Sequence, residues 1–166
     1  LINQDFFEVS EYLPDCFADL VILDPPYNLN KNFNNTSFRE MTDDGYYDYV
    51  ESFIVRIKRM MKPEATLYFC SDWKSSNPVY SVLSKHFEVK NRITWEREKG
   101  RGANTNWKNC SEDIWFCTNG KTYTFNSEAV KLKRKVLAPY RNKEGKPKDW
   151  QNEEQGAFRL TYPSNI

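Results

Sequence analysis

Four consecutive residues, Asp24, Pro25, Pro26 and Tyr27, form the group in this sequence that is best suited to chemistry. The aspartate carboxylate can accept hydrogen bonds from a ligand, and two adjacent prolines hold the backbone around it rigid. The group directly follows a short apolar run, and open α/β sheets bind ligands beyond the carboxyl ends of their strands. We therefore expect a ligand site here. The alternative is a turn that ends a strand and packs its tyrosine on the core.

The apolar pattern predicts the elements that position this tetrapeptide. Three short apolar runs predict strands, residues 19–24, 65–70 and 89–95, and the first two are typical of buried strands. An amphipathic helix is expected to begin near Asp43 or Asp44 and to end before Pro63, and a second helix is expected over residues 78–86. Strands that alternate with helices in this way are typical of an α/β layered fold.

The second half of the sequence carries a turn signal and then a basic stretch. The runs 113–118 and 122–125 flank Asn119-Gly120, a residue pair that predicts a β-hairpin. Beyond Asn126, lysines and arginines crowd into a stretch of weak periodicity, where we expect regular structure to fade. The sequence thus predicts a first part over residues 1–126 and a basic part over residues 127–166.

The composition limits the class of protein. The 166 residues suit one domain of ordinary size, and aromatic residues make up 16% of them. The net charge of +1 means that any contact with nucleic acid must come from local patches. No apolar run approaches the roughly 20 residues that span a bilayer, and four scattered cysteines with one histidine offer no zinc site. We expect a cytoplasmic protein that has reduced thiols and no metal.

The tetrapeptide resembles the catalytic motif of the amino-methyltransferases, which methylate adenine N6 or cytosine N4 in DNA. The resemblance implies a Rossmann-like α/β sheet, present here in part, with a target-recognition insertion and S-adenosylmethionine as cofactor. In the permuted branch often called the beta class, the catalytic motif comes first, the target-recognition region follows and the cofactor motif is last. The chain is similar to that order over its whole length, which implies that residues 1–126 are catalytic and that target recognition begins at residue 127.

The resemblance also explains the composition of the motif. An exocyclic amine is a poor nucleophile because its lone pair is delocalised into the base, so a catalyst gains by accepting both of its N–H bonds. Asp24 would accept one and a carbonyl of the proline segment the other, so Asp24 is expected to orient the amine before it does any general-base work. Tyr27 would stack on a base that has been flipped out of the duplex.

Further roles follow from the resemblance. Trp115 or Phe116, on the aromatic strand after the acidic pair, could pack against the flipped base, although aromatic residues on strands are more often part of the core. Asp5 and Phe6 occupy the place of a short motif that contacts the adenine end of the cofactor, with Asp24 as a further cofactor contact. A frayed strand is the alternative at Asp5 and Phe6.

Two basic segments are candidates for contact with DNA, since their cations could follow phosphates while amide side chains test base edges. The alternative is a solvated charged face. The candidate residues are Arg97, Lys99, Arg101, Asn104, Asn106, Lys108, Lys133, Arg134 and Lys135.

One expected motif is missing. The family places an F-x-G-x-G turn after a strand, because only glycines let the backbone approach the methionine portion of the cofactor. The only G-x-G here, at residues 100–102, follows Lys99 in a basic loop. We expect a piece of a longer protein rather than an inactive natural remnant, and such a piece should expose uncovered apolar surface.

The expected function is methylation of adenine N6 in a short duplex DNA sequence, within a restriction-modification system that includes a cognate endonuclease. Cytosine N4 is the near alternative. An inactive nucleic-acid-binding module of the same fold and an RNA substrate are the others. Whether the protein forms a homodimer is left open.

Overall fold

The helices and strands are those of a computed structural model, which describes residues 1–33, 36–101, 104–137 and 139–164, without the side chains of residues 33, 36 and 99–101. In chain order they are α1 (Phe6–Ser10), β1 (Ala18–Leu23), β2 (Lys31–Phe33), β3 (Thr36–Phe38), α2 (Asp43–Met60), β4 (Met61–Ser71), α3 (Ser76–His86), β5 (Glu88–Arg101), β6 (Asn109–Thr118), a 3₁₀ turn (Ser127–Val130), β7 (Leu132–Lys135), β8 (Gln151–Glu153) and β9 (Gly156–Thr161). The chain divides into two units, residues 1–124 and residues 125–164.

A four-stranded sheet in the order β1-β4-β6-β5 forms the centre of the first unit. The strands β1 and β4 are parallel, whereas β6 runs antiparallel to both of its neighbours. The prediction that the run 19–24 is buried was wrong for half of its apolar side chains. Val21 and Leu23 pack against the core, but Leu20 and Ile22 are 54% and 70% exposed because only one face of β1 is covered.

The core lies between one face of this sheet and the two longer helices. Thr42 begins α2 by accepting a hydrogen bond from the Gly45 amide, and acidic residues in the first turn with basic residues in the last complement the helix dipole. The buried face of α2 includes Tyr46, Val50 and Ile54, which pack with Leu67 and other apolar side chains of β4 and α3. The two helices predicted from the sequence are therefore confirmed.

The predicted hairpin at Asn119-Gly120 was wrong. The strand β6 already pairs with β4 on one edge and β5 on the other, so no edge remains for residues 122–125, which form no strand. The turn residues instead pack against the start of β4. The Asn119 amide donates to the Ala65 carbonyl at 3.0 Å, and the Asn119 side chain donates to the Lys62 carbonyl at 2.9 Å.

The second unit is a three-stranded antiparallel sheet in the order β7-β9-β8. The expectation that regular structure fades beyond residue 126 was wrong. The strand β7 shows no apolar alternation in the sequence, because all of its side chains are exposed and most of them are charged. Trp150 is buried in this unit. Its indole N–H donates to the Tyr140 carbonyl at 2.7 Å, and Arg141 stacks over its ring.

Gly120→Ala should lower the free energy of unfolding by about 1–3 kcal/mol, the usual cost of overpacking. A β-carbon at Gly120 would lie 2.7 Å from the Pro63 carbonyl oxygen. Urea denaturation measures the effect, with the exposed neighbour Lys121→Ala as the matched control. Equal midpoints for the two variants would contradict the close approach.

Candidate active site

The tetrapeptide lies at the carboxyl end of β1, where parallel pairing with β4 ends and the two prolines turn the chain away from the sheet. It forms one wall of a cavity of about 470 Å³. The other walls come from the segment after the tetrapeptide and from β5 and β6, namely Leu29, Lys31, Phe38, Arg97 and Glu112. The sheet therefore brings together residues that are up to 88 positions apart, from Asp24 to Glu112.

The Tyr27 hydroxyl faces two carboxylates. It makes a long hydrogen bond of 3.5 Å to Glu112 Oε2. Burial first, and then the charges of Asp24 and Glu112, raise the pKa of Tyr27, so the phenol keeps its proton at neutral pH. Arg97 forms an ion pair with Glu112 and offsets part of this negative charge. The Tyr27 ring is thus held at the cavity wall by its own hydroxyl.

A buried hydroxyl on α2 forms a hydrogen bond with the diproline segment. Tyr46, on α2, is only 1% exposed, and its hydroxyl donates to the Pro26 carbonyl at 3.1 Å. Burial, with a smaller contribution from Asp72, raises the pKa of Tyr46, which keeps this donor protonated. The Tyr46 hydroxyl thus fixes the peptide at Pro26, next to the cavity that Pro25 and Pro26 line.

The segment after the tetrapeptide is fixed by a reciprocal pair of hydrogen bonds. The Met41 amide donates to the Asn28 side-chain oxygen at 2.7 Å, and the Asn28 side-chain amide donates to the Met41 carbonyl at 3.0 Å. This pair ties the chain that leaves Tyr27 to the residue before the Thr42 cap of α2. The loop therefore returns to the same helix that supplies Tyr46.

Trp115 and Phe116 are not brought to the cavity. Trp115 is buried on the face of β6 that packs against the helices, where its indole N–H donates to Ser71 Oγ at 2.9 Å. Phe116 is buried on the opposite face and stacks on Tyr68, with the ring centroids 5.0 Å apart. Both side chains therefore pack in the interior, which was the alternative to contact with a base.

Asp5 and Phe6 have local structural partners. Asp5 caps α1, because one of its carboxylate oxygens accepts from the Phe7 amide at 2.8 Å and the Glu8 amide at 3.3 Å. Phe6 packs at the border of the core. After burial, the charge of Asp5 is the cause that raises the pKa of Tyr49, whose ring lines a smaller cavity beside Pro26 and Tyr27. Asp5 thus lies near the tetrapeptide, and its contact with a cofactor stays a prediction.

The candidate DNA contacts are divided among three places. Arg97 lines the tetrapeptide cavity, and Asn106 lines a second cavity beside it. Asn104 and Lys108 are exposed in the loop between β5 and β6, and the side chains of Lys99 and Arg101 lie outside the described residues. The remaining three, Lys133, Arg134 and Lys135, are exposed on β7 of the second unit.

Sequence reasoning assigned no role to Glu112 or Tyr46. The acidic pair before the aromatic strand was a visible signal for Glu112, whereas Tyr46 was part of an ordinary helical apolar pattern. Among the described residues, no cluster of His, Cys, Asp and Glu is placed to hold a metal ion. No helix in the described part of the chain is both long and apolar enough to cross a membrane.

A family profile and several relatives identify the class of protein. The profile described as DNA methylase, of the N6/N4 methyltransferases, matches residues 18–161, and the chain belongs to this family. It is 26% identical over 148 residues to the type II methyltransferase M.HpaI of Haemophilus parainfluenzae, and 26% identical over 138 residues to the DNA adenine methyltransferase YhdJ of Escherichia coli. These matches cover 87% and 82% of the chain but 47% of each relative.

Solved structures agree with this assignment at the level of the fold. The cytosine-N4-specific PvuII DNA methyltransferase superposes with a TM-score of 0.61 at 16% identity, over 76% of this chain and 51% of that one. M1.HpyAVI in complex with S-adenosylmethionine gives a TM-score of 0.50 at 19% identity, over 73% of this chain and 55% of that one. The partial Rossmann-like methyltransferase sheet predicted from the sequence is confirmed.

Asp24→Asn should increase the rate at which iodoacetamide alkylates Cys70 at pH 8 by a few fold. Burial first, and then the charges of Asp24 and Glu112, raise the pKa of the Cys70 thiol. Removing one charge therefore favours the reactive thiolate. Peptide mass spectrometry follows Cys70 alone, and Asp19→Asn at the start of β1 is the control. An unchanged rate would place the Asp24 carboxylate away from Cys70.

Proposed function

We propose that the protein carrying this chain transfers a methyl group from S-adenosylmethionine to N6 of adenine in duplex DNA. The observation that carries the proposal is the cavity at the carboxyl end of β1, where Asp24 and Pro25 stand beside the Tyr27 ring. Membership of the DNA methylase family supports the reaction type. The chain spans 47% of its curated relatives, so the whole activity is proposed for the protein that carries it.

The proposed roles follow from the acceptors in the cavity. The target amine presents two N–H donors, and a catalyst that accepts both returns electron density to the nitrogen. The exposed Asp24 carboxylate accepts one. A carbonyl of the proline segment accepts the other, and the hydrogen bond from Tyr46 to the Pro26 carbonyl holds that segment in place. The Tyr27 ring supplies the face on which the flipped base stacks.

The cofactor fits this chain only in part. S-adenosylmethionine supplies the methyl group when it is bound. Asp5, whose charge acts on Tyr49, and Asp24, which lines the tetrapeptide cavity, are suited to contact it. No glycine in the described part of the chain stands in a turn between a strand and a helix, where the backbone could approach the methionine portion. We therefore assign to this chain the orientation of the base.

The choice of adenine rests on the resemblance of the motif, in which aspartate at the first position favours adenine. The relatives carry both names, since YhdJ is a DNA adenine methyltransferase and the PvuII enzyme is cytosine-N4-specific. Cytosine N4 is therefore the second candidate. Mass spectrometry of the nucleosides released from methylated DNA distinguishes N6-methyladenine from N4-methylcytosine.

The partners follow from the same class. Duplex DNA is the proposed substrate, and the name of M.HpaI as a type II methyltransferase supports a place in a restriction-modification system with a cognate endonuclease. Residues 127–166 are proposed as the start of target recognition. In that region, Lys133 is paired with Glu153, while Arg134 and Lys135 are exposed on the same strand and would contact phosphates.

Asp24→Ala should abolish methyl transfer to unmethylated duplex DNA while leaving DNA affinity within about twofold, because the target amine is the one group of the DNA that Asp24 is proposed to contact. Tyr27→Ala should weaken both affinity and turnover, because stacking on an aromatic ring contributes to binding. Transfer of isotopically labelled methyl groups measures turnover, and fluorescence anisotropy measures affinity. Asp19→Ala is the control. The opposite pattern for the two variants would overturn these roles.

Tyr46→Phe should lower kcat for methyl transfer about fivefold to tenfold, the effect of losing one hydrogen bond, with KM for DNA unchanged. The phenyl ring keeps the packing of α2, but the Pro26 carbonyl loses its donor. Tyr47→Phe, on the same helix, is the matched control, because its hydroxyl accepts from Lys85 at 3.5 Å. A drop in kcat that is equal for both variants, or explained by a lower melting temperature, would remove Tyr46 from a positioning role.

A further inference from the structure

A second cavity of about 280 Å³ adjoins the tetrapeptide cavity. The two cavities share Tyr27, Leu29, Lys31, Arg97 and Glu112. The second cavity extends to Trp73, in the turn between β4 and α3, and to Trp107, in the loop between β5 and β6. No role was assigned to either tryptophan from the sequence.

Both tryptophans of the second cavity expose most of their surface. Trp73 is 59% exposed and Trp107 is 96% exposed. A large aromatic side chain normally buries most of its surface in a folded protein, and exposed apolar side chains that share one concave surface indicate a binding site. By contrast, Trp115 and Trp150 are buried, and both donate their indole N–H groups to protein acceptors.

We propose that the second cavity binds the base of a nucleotide next to the target in the same strand, stacked on Trp73 and Trp107. This inference rests on the proposed function, because it needs a strand whose target base occupies the first cavity. A base pulled out of the duplex strains the adjacent backbone, and an unstacked neighbour regains stacking on an aromatic surface. The shared Tyr27 places the two cavities at adjacent positions along such a strand.

The charges of the second cavity suit a nucleotide. Its two carboxylates are engaged, since Asp72 accepts from the Ser75 amide at 3.0 Å and Glu112 is paired with Arg97. Lys74 is exposed at the cavity wall, where its ammonium group can approach a phosphate. Indole faces beside a cation are the arrangement that binds single-stranded nucleic acid with little sequence preference.

The test separates base stacking from phosphate contact. The 166-residue chain is titrated with a fluorescent single-stranded oligonucleotide of mixed sequence, and with an abasic strand of the same length. The wild type should bind the intact strand at least tenfold more tightly than the abasic one. Trp73→Leu and Trp107→Leu should each reduce this ratio severalfold, while Trp107→Phe, which keeps an aromatic face, should retain most of it.

Trp95→Leu is the matched control, because Trp95 is 58% exposed on β5 but lines neither cavity. A ratio that stays at the wild-type value in Trp73→Leu and Trp107→Leu would overturn the inference. So would a loss of affinity that is equal for intact and abasic strands, since it would show phosphate contact alone. If the ratio depends on the two tryptophans but the protein that carries the chain transfers no methyl group to DNA, the stacking surface for a base stands and the proposed function fails.

Discussion

The site depends on the packing of α2 beneath the carboxyl end of β1. A diproline has no backbone N–H to donate and cannot be held by the sheet ladder, so its position must come from side chains. Tyr46 supplies that contact from a fully buried position, and the Asn28–Met41 pair returns the same loop to the start of α2. The hydrogen-bond acceptors of the tetrapeptide are therefore positioned by contacts with α2 and its first turn, and not by the exposed edge of β1.

The second constraint is electrostatic. The cavity gathers the carboxylates of Asp24 and Glu112 around one phenol, and like charges at such a site repel. The Arg97–Glu112 ion pair lowers this repulsion, and the proton retained by Tyr27 lets its hydroxyl donate rather than add a third charge. The Asp24 side chain is exposed at this cavity, where its oxygens can accept a hydrogen bond from an amine.

Local sequence patterns predicted individual helices and strands well, because each such element depends on its own hydrophobic periodicity or capping residue. The helix from Asp43 and the strand after it occur where expected, and the tetrapeptide stands at the predicted strand end. Pairing was harder to predict. The turn at Asn119-Gly120 has the right residues for a hairpin, but β6 had already been paired with distant strands. Glu112 was passed over for the same reason, since its contact with Tyr27 spans 85 positions of sequence.

The tryptophans show what amino-acid composition predicts about burial in this fold and what it does not. An aromatic content of 16% indicates a packed protein, and Trp115 and Trp150 agree with that, each with its N–H satisfied inside the fold. The same composition also contains Trp73 and Trp107, which contribute little to the core because most of their surface faces solvent. Composition does not separate the buried tryptophans from the exposed ones. The fold does, because the turn after β4 and the loop between β5 and β6 bring Trp73 and Trp107 to the same cavity. The aromatic content therefore reports two features of this protein, the packing of its core and the exposed aromatic surface beside the tetrapeptide.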